Sequence, residues 1–268
     1  MRMLDAVQTA SLARKLLNTM AHLHRFHVST DELKSDTLRL PAHEAHHALR
    51  VARVRTGDRV ALFDGAGREA VGSVIRAERK EVSVSVETRR EKPRPARHLT
   101  LAQAWLNREK SLEPIISRGT ELGVAHFVFF KAEHSERAPR LNEKWDRIAV
   151  ESCKQSGRLW LPEFELEEDF AGVLGAAEGR VLIATKDREA APLKETIGDE
   201  GNVLIVIGPE GDFSEAEVRS AAEAGAVPIS LGEYTLRSEV AATVAISLIQ
   251  YELGELGLHQ EGTKDTKS

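Results

Sequence analysis

The chain has 268 residues, enough for one large domain or two modest ones, and either arrangement can bury a substantial core. Hydrophobic residues make up 41% and charged residues 29%, an ordinary balance for a soluble protein. No run approaches the roughly 18 consecutive apolar residues of a membrane span. The single cysteine, Cys153, excludes an internal disulfide and fits a reducing compartment such as the cytoplasm. We expect Cys153 to be a small apolar helix residue rather than a nucleophile.

The formal net charge is -5, but the charges are unevenly distributed. Residues 22–97 hold 16 Lys and Arg against 11 Asp and Glu, so this part is basic and the remainder of the chain is acidic. A basic module joined to an acidic one predicts that any RNA is bound mainly by the amino-terminal module. The alternative is that these arginines only solubilise a small β domain.

Residues 1–23 form an amino-terminal extension without an apolar core long enough for a secretory signal. Residues 24–92 have the pattern of a compact β-rich module, with strand-like segments at 59–63, 70–75 and 81–86. The D-G-A-G sequence at residues 64–67 lies between two of these segments and no helix follows it. We therefore predict a β-hairpin turn rather than a nucleotide-binding loop. Two prolines and dense charge at residues 91–95 indicate the domain boundary.

His43, Glu44 and His47 match the H-E-x-x-H pattern, in which two imidazoles on one helical face bind zinc and the glutamate acts as a base. The same residues open a helix whose apolar face continues through Leu49 and Val54, inside the basic module and far in sequence from the glycine loops described below. We interpret this stretch as an amphipathic helix and expect no metal site in it.

The second part of the chain alternates strand-like and helical segments. Strands are predicted at residues 99–105, 126–130 and 181–185, and helices at about 112–123 and 145–155. Strands that alternate with helices of this length favour an α/β fold, in which a mostly parallel sheet is covered on both faces.

The carboxyl-terminal segment contains a first glycine loop between a strand and a helix. Residues 203–207 are a continuous apolar run, which G-P-E-G at residues 208–211 ends abruptly. Ser214 and Glu217 have the spacing of a capping box, and Gly225 is suited to close the helix that they open.

A second loop of the same kind follows. A strand is predicted at residues 227–231, a loop begins at Gly232, and the apolar periodicity of residues 240–253 predicts the last helix. Loops at the carboxyl ends of neighbouring parallel strands form the usual ligand crevice of an α/β sheet.

IGPEG at residues 207–211 and LRSE at 236–239, with the alanine-rich helix after it, resemble the carboxyl half of the RsmE family. These proteins are small-subunit rRNA uridine-N3 methyltransferases of the knotted SPOUT superfamily. The resemblance covers nearly everything from residue 24 to residue 253. It implies a PUA-like β-barrel over residues 24–92 and a SPOUT-type knotted parallel sheet, with helices on both faces, over residues 93–257. The polar tail, 258–268, is expected to be disordered.

The chain departs from the usual family pattern in three places. Asp212 stands where the family usually has a second glycine, and Ser238 and Val240 stand where it usually has threonines. His134 occupies a position where the family usually has arginine.

The resemblance implies transfer of a methyl group from S-adenosylmethionine to N3 of a specific uridine in 16S ribosomal RNA. The implied enzyme is a cytoplasmic homodimer that acts on small-subunit RNA or a ribosomal particle and needs no metal. Two alternatives stay open: a SPOUT enzyme acting on another rRNA or tRNA base, and a non-catalytic RNA-binding protein. A homodimer also agrees with the last helix, where Val240, Val244, Ile246, Leu248 and Ile249 cover more than one core-facing stripe requires.

The two loops are the predicted cofactor site. Glycines let main-chain groups approach a planar ligand closely, and Ile207, Leu231 and Leu236 would form apolar walls. The predicted cofactor residues are Ala184, Thr185, Ile207, Gly208, Pro209, Glu210, Gly211, Leu231, Gly232, Leu236, Arg237, Ser238 and Glu239.

Methylation at N3 requires the proton on that nitrogen to leave, so the enzyme needs a base or a group that stabilises the resulting anion. Arg237 suits the second role through its guanidinium fork, while Glu121, Glu210 or Glu239 could be the base. We predict catalytic roles for Arg237, Glu210 and Glu121. The predicted RNA contacts are Arg25, Arg50, Arg53, Arg118, Gln155 and Arg158.

Overall fold

The computed structural model describes residues 23–186, 190, 193–197 and 201–256. The predicted extension, except for Leu23, and the predicted tail lie outside these residues. The chain divides into two compact units. The first unit comprises the residues up to Arg94 together with Cys153–Leu161, and the second comprises Pro95–Ser152 and the residues from Pro162 onward.

The first unit is built on a five-stranded sheet with the order β1-β3-β4-β5-β2. Its elements are β1 His24–His27, α1 Thr30–Leu33, β2 Thr37–Arg39, α2 Ala42–Arg50, β3 Arg59–Phe63, β4 Arg68–Glu78 and β5 Glu81–Glu91. β1 pairs with β3 in parallel, and the other pairs are antiparallel. Alternate strand residues point into one core, which includes Phe26, Val60, Leu62, Val82 and Val84.

β3 and β4 form the predicted hairpin, with Phe63 opposite Glu69. The turn requires glycines because φ is +71° at Gly65 and +92° at Gly67, values that L side chains rarely adopt. A Cβ on Gly67 would also lie 2.5 Å from the ring of Trp160. The glycine therefore serves both the turn and the close approach of an aromatic side chain.

Residues 153–161 belong to the first unit, although the sequence prediction places them inside one continuous second domain, 93–257. Cys153 and Leu159 are buried against Phe63, and the backbone nitrogen of Leu161 donates to the carbonyl oxygen of Gly65 at 2.9 Å. Burial raises the pKa of the Cys153 thiol to about 11, as expected of an unreactive packing residue.

The second unit contains a six-stranded, wholly parallel sheet with the order β11-β9-β10-β6-β7-β8. Its elements are β6 Leu99–Ala104, a 3-10 turn Glu109–Ser111, α3 Leu112–Glu121, β7 His126–Phe130, α4 Lys144–Ser156 (whose last turn lies in the first unit), β8 Glu163–Glu167, α5 Phe170–Gly175, β9 Arg180–Thr185, α6 Leu193–Thr196, β10 Val203–Ile207, α7 Glu215–Glu223, β11 Val227–Ser230 and α8 Ser238–Glu252. Among the described residues, no helix has both the length and the hydropathy needed to span a membrane.

Both faces of this sheet are covered by helices. Leu101 and Ile205 pack in one core with residues of α3, α4, α6 and α8, while Ala102 and Val206 pack in a second core with residues of α5 and α7. Neighbouring strand residues thus serve opposite cores, which explains why β10 is apolar at every position. The predicted α/β fold with helices on both faces is confirmed.

Candidate active site

The loops that follow β9, β10 and β11 line one cavity of about 630 Å³ at the carboxyl ends of these strands. This volume lies within the usual range for a small-molecule site, about 300–1,000 Å³. The first of the two predicted loops leads into α7 through the predicted capping box, in which the Ser214 hydroxyl accepts from the backbone nitrogen of Glu217 at 3.2 Å. α7 ends beside Gly225, whose φ is +81°, as predicted.

The structure brings all but one of the predicted cofactor residues to this cavity. Its lining includes Ala184, Thr185, Ile207, Gly208, Pro209, Glu210, Leu231, Gly232, Leu236, Arg237, Ser238 and Glu239. Gly211 is the exception, and a Cβ at that position would lie 3.0 Å from the Cβ of His134. The sequence reasoning missed the other lining residues, which are Arg108, Ser111, Lys186, Asp212, Glu233, Tyr234, Thr235 and Ala241.

The second loop offers backbone groups to a ligand. Within the described parts of the chain, the backbone N–H and C=O groups of residues 233–236 have no hydrogen-bond partner. Ile207 is buried, and Leu231 and Leu236 are partly buried beside these groups. Apolar walls next to free donors and acceptors suit a flat heterocycle such as a purine.

Gln103 ties the two loops to the centre of the sheet. Its side chain is fully buried, and its Nε2 donates to the hydroxyl of Ser238 at 2.9 Å. That hydroxyl donates to the carbonyl oxygen of Gly208 at 2.6 Å. A glutamine inside the apolar sequence of β6 is the signal that could have revealed this link, because buried amides require partners.

Asp212 lies in the left-handed region, with φ +65°, where the family resemblance leads one to expect glycine. Three contacts hold it: its Oδ1 accepts from the backbone nitrogen of Phe213 at 2.9 Å, its Oδ2 lies 3.2 Å from Lys186 Nζ, and its carbonyl oxygen accepts from His134 Nδ1 at 2.9 Å. The hydrogen bond to this carbonyl raises the pKa of the exposed His134 imidazole.

Glu210 is exposed on the first loop. Its carboxylate oxygens accept from the backbone nitrogen of Asn107 at 3.2 and 3.4 Å, which joins this loop to the one after β6. The carboxylate retains acceptor capacity toward the cavity, because each oxygen has two lone pairs.

Arg237 is the N-cap residue of α8 and its side chain is exposed. Among the described residues it forms no ion pair, either with Glu210 or with Glu239. The guanidinium and the amino-terminal end of a 15-residue helix therefore offer positive charge at one wall of the cavity.

Glu121, the third predicted catalytic residue, does not line this cavity. It lies in the last turn of α3 and lines a second cleft, of about 470 Å³, with Arg147 and Ile148 of α4. The Ser117 hydroxyl donates to its Oε1 at 3.4 Å. The described contacts do not bring Glu121 together with Arg237 and Glu210.

Arg25, a predicted RNA contact, is used inside the first unit. Its Nη1 lies 2.5 Å from Oε1 of Glu69, and these side chains are 14% and 1% exposed. The guanidinium also lies 5.3 Å from the centre of the Phe63 ring. Its position favours a structural role over contact with a phosphate.

The other predicted RNA residues differ in exposure. Arg50 and Arg53 are exposed at and beyond the end of α2, and the structure describes no ion pair for either. Arg118 is exposed in the last turn of α3. Gln155 is exposed and Arg158 is partly buried, and both lie in the segment that joins the first unit. Burial lowers the pKa of the Arg158 guanidinium.

Glu44, the glutamate of the H-E-x-x-H pattern, is not available to act as a base. Both of its oxygens accept from Lys154 Nζ, at 3.0 and 3.2 Å, and the side chains are 2% and 8% exposed. The pattern thus encodes a buried ion pair of the first unit.

In the described ranges, one further cluster of side chains has the residue types and spacing that could bind a metal ion. Ligand atoms of His126, Glu163 and Glu165 all lie within 4.8 Å of one another. His126 and Glu163 are the first residues of β7 and β8, so this partly exposed group lies at the opposite end of the strands from the cavity.

A family model for an RNA methyltransferase domain matches residues 92–250, more than half of the chain. The chain belongs to this family. A model for the PUA domain of RNA methyltransferases matches residues 40–87, within the first unit. The second match agrees with the prediction of a PUA-like module before the catalytic domain.

Individual relatives agree with this membership and with the RsmE resemblance. The ribosomal RNA small subunit methyltransferase E of Bacillus subtilis is 28% identical over 234 residues, which cover 82% of this chain and 91% of the relative. A probable rRNA-methyltransferase from Porphyromonas gingivalis is 36% identical, with a TM-score of 0.77 and coverage of 87% and 99%. A ribosomal RNA small subunit methyltransferase E from Neisseria gonorrhoeae, solved with bound S-adenosyl methionine, is 25% identical, with a TM-score of 0.76. The match covers 86% of this chain and 98% of that one.

Proposed function

We propose that this RNA methyltransferase transfers the methyl group of S-adenosylmethionine to N3 of a uridine in 16S ribosomal RNA of the small subunit. The main supporting observation is the cavity itself, where two glycine loops meet beside the exposed Arg237, for which the described part of the chain provides no ion-pair partner. The names of the relatives add the substrate class, and the relative with bound S-adenosyl methionine adds the cofactor.

The cavity fits an adenosine-containing ligand. The free backbone groups of residues 233–236 can read the edge of the base, while Ile207, Leu231 and Leu236 cover its faces. Gln103 and Ser238 fix the two loops relative to each other, so the site is formed before the ligand arrives. When bound, S-adenosylmethionine supplies a methyl group activated by its sulfonium, and the protein has to align the acceptor.

Arg237 stabilises the acceptor as it loses its proton. The uridine anion places negative charge on O2 and O4, and a guanidinium fork can donate to a carbonyl oxygen that carries this charge. The amino-terminal end of α8, which starts at Ser238, adds partial positive charge at the same wall.

Of the three glutamates that could be the base, Glu210 and Glu239 line the cavity and Glu121 does not; Glu210 is the more exposed of the first two and is the proposed base. Its contact with the backbone nitrogen of Asn107 orients the carboxylate, which can accept the N3 proton. With S-adenosylmethionine bound, the deprotonated N3 would be the group that accepts its methyl.

The first unit supplies binding of the RNA backbone. N3 lies on the pairing edge of uracil, so the target base must be unpaired or flipped into the cavity, and contacts elsewhere must hold the strand. The exposed Arg50 and Arg53 are suited to phosphates, whereas Arg25 is engaged with Glu69. The proposed site of action is the cytoplasm, where ribosomal particles are assembled.

The proposed functional form is a homodimer that uses α8 as part of its interface. Val240, Leu248 and Tyr251 are 39%, 41% and 64% exposed, and with the partly buried Val244 they form one apolar stripe at helical spacing. Ile246 and Ile249 face the core and are fully buried, so of the five apolar residues singled out in the sequence only Val240, Val244 and Leu248 are open to a partner, and Ile249 is not partner-facing.

The direct test is methylation of small subunits or 16S rRNA that lack the modification, with purified protein and labelled S-adenosylmethionine, followed by mass spectrometry of the nucleosides. The expected product is 3-methyluridine at one position. A different methylated base would replace the N3-uridine assignment with another RNA methyltransferase activity. Cofactor and RNA binding without any product would favour the non-catalytic alternative.

A further inference from the structure

The cavity wall carries an ion pair that has no role in the reaction proposed above. Among the described lining residues, only Lys186 and Asp212 pair with each other, at 3.2 Å, with side chains 57% and 31% exposed. Lys186 follows β9 and Asp212 follows β10, so the pair joins two loops at the cavity wall.

Asp212 occupies a backbone position that glycine would adopt without strain. At φ +65° a residue with a side chain has a higher backbone energy than glycine. Such a conformation at a ligand site is a reason to look for a function of the Asp212 side chain. The carboxylate is also pre-oriented, because Oδ1 is held by the backbone nitrogen of Phe213 while Oδ2 points to Lys186.

A zwitterionic ligand complements such a pair. The methionine tail of S-adenosylmethionine carries an ammonium and a carboxylate on one carbon atom, whereas its adenosine end is uncharged. An ammonium can bind Asp212 and a carboxylate can bind Lys186, so the tail would satisfy both side chains at once. Charge-assisted hydrogen bonds of this kind are about twice as strong as neutral ones.

We propose that Lys186 and Asp212 form the subsite for the amino-acid tail of the cofactor, with Asp212 on the ammonium and Lys186 on the carboxylate. This inference rests on the proposed function, because it assigns contacts within the same cofactor site. Lys186 and Asp212 would thus determine specificity for the amino-acid tail. Neither was among the cofactor residues predicted from the sequence of the loops.

The test compares ligands that share the adenosine and differ in the tail. Calorimetry would measure three ligands. S-adenosylhomocysteine has the complete amino-acid tail, decarboxylated S-adenosylmethionine has a tail that keeps the ammonium but lacks the carboxylate, and 5′-methylthioadenosine lacks the tail. The variants are Asp212→Asn, Asp212→Gly and Lys186→Met. Glu215→Gln and Arg219→Met are the matched controls, because these residues form an exposed ion pair on α7 outside the cavity.

Each cavity variant should lower the affinity for S-adenosylhomocysteine about 10-fold, the size expected for one hydrogen bond to a charged group. The affinity for 5′-methylthioadenosine should change less than about 2-fold, and the control variants should bind both ligands with wild-type affinity. Lys186→Met should bind the decarboxylated ligand with unchanged affinity, whereas the Asp212 variants should bind it more weakly. Asp212→Gly relieves the backbone strain, so its loss of affinity cannot be attributed to misfolding.

Equal losses for 5′-methylthioadenosine and S-adenosylhomocysteine would overturn the assignment, because they would place the contact at the adenosine end. Unchanged affinity in every variant would overturn it as well, and both results would leave the methyltransferase proposal intact. Wild-type protein that binds none of the three ligands would instead contradict the proposed cofactor, and with it this subsite.

Discussion

The first unit and the cavity of the second unit use charged side chains in opposite ways. In the first unit, buried Glu69 binds both Arg25 and Arg90, and buried Glu44 binds Lys154. At the cavity, Arg237 is exposed and has no described ion-pair partner. Charges that already have buried partners hold the fold, and exposed charges without one are available to a ligand. A count of arginines in the sequence cannot make this distinction.

The largest expected effect is on stability, from breaking a buried pair. Glu44→Gln or Lys154→Met should each lower the free energy of unfolding by about 3–5 kcal/mol, because each removes one charge of a buried ion pair and leaves the opposite charge buried. Urea unfolding of the full chain measures this. The double variant Glu44→Leu/Lys154→Met should recover most of the loss.

Lys34→Met is the matched control, since Lys34 and Asp31 form a pair that is exposed on both sides. It should leave the urea midpoint unchanged. A Glu44 variant that is as stable as this control would contradict the structural role assigned to the buried pair.

The next largest effect is on catalysis. Arg237→Ala should slow methyl transfer about 100-fold or more, the usual cost of removing one donor to a developing oxyanion, while cofactor affinity changes little. Single-turnover rates and calorimetry separate the two quantities. Arg219→Ala removes an arginine from an exposed pair on α7 and should react at the wild-type rate.

The urea midpoint of Arg237→Ala should equal that of the wild type, because the side chain is exposed. If turnover is normal and stability falls, Arg237 is a structural residue and the contrast between the two regions fails.

The same distinction between partnered and unpartnered groups applies to apolar side chains on α8. Leu248→Glu should raise the dissociation constant of the homodimer at least about 10-fold, because it places a charge on the exposed stripe. Sedimentation or light scattering over a concentration series measures the change. Val218→Glu, at an apolar position of α7 with 37% exposure, should have no effect on assembly.

Ile249→Glu is not a usable test of the interface, since Ile249 is fully buried and the variant would unfold the core. A wild-type protein that is monomeric and fully active would contradict the homodimer regardless of any variant.

The smallest effect concerns RNA binding. Arg50→Gln and Arg53→Gln should each weaken RNA binding a few-fold and lower the salt dependence, the slope of log K against log salt, by about 1. Arg25→Gln should affect stability instead, because its guanidinium binds Glu69. Filter binding at several salt concentrations distinguishes these cases, and equal slopes for all three variants would contradict the division.

The succession of strands and helices in the carboxyl-terminal half of the second unit was predictable, because each element has a local sequence signal. The apolar run of β10, the capping box at Ser214 and Gly225 each specify an element without reference to the rest of the chain. The resemblance then located the two loops, and all but one of the predicted cofactor residues line the cavity, although eight further lining residues were missed.

Other features were not predictable because they depend on distant partners. Edge strand β8 was not predicted, because its alternation of glutamates with Phe164 and Leu166 spans only five residues and only its packing in the sheet distinguishes it from a polar loop. Arg25 and Arg50 look alike in the sequence, and only the position of Glu69 separates them. The same holds for Lys186, whose partner lies in another loop.

The return of residues 153–161 to the first unit has a consequence for synthesis of the chain. Phe63 is buried by Cys153 and Leu159, so the hydrophobic core near the hairpin turn is completed only after those residues have emerged from the ribosome. By then β6 and β7 of the second unit have also been made. The amino-terminal module therefore cannot finish folding until the first part of the second unit has been made, unlike a domain whose residues are contiguous in the sequence.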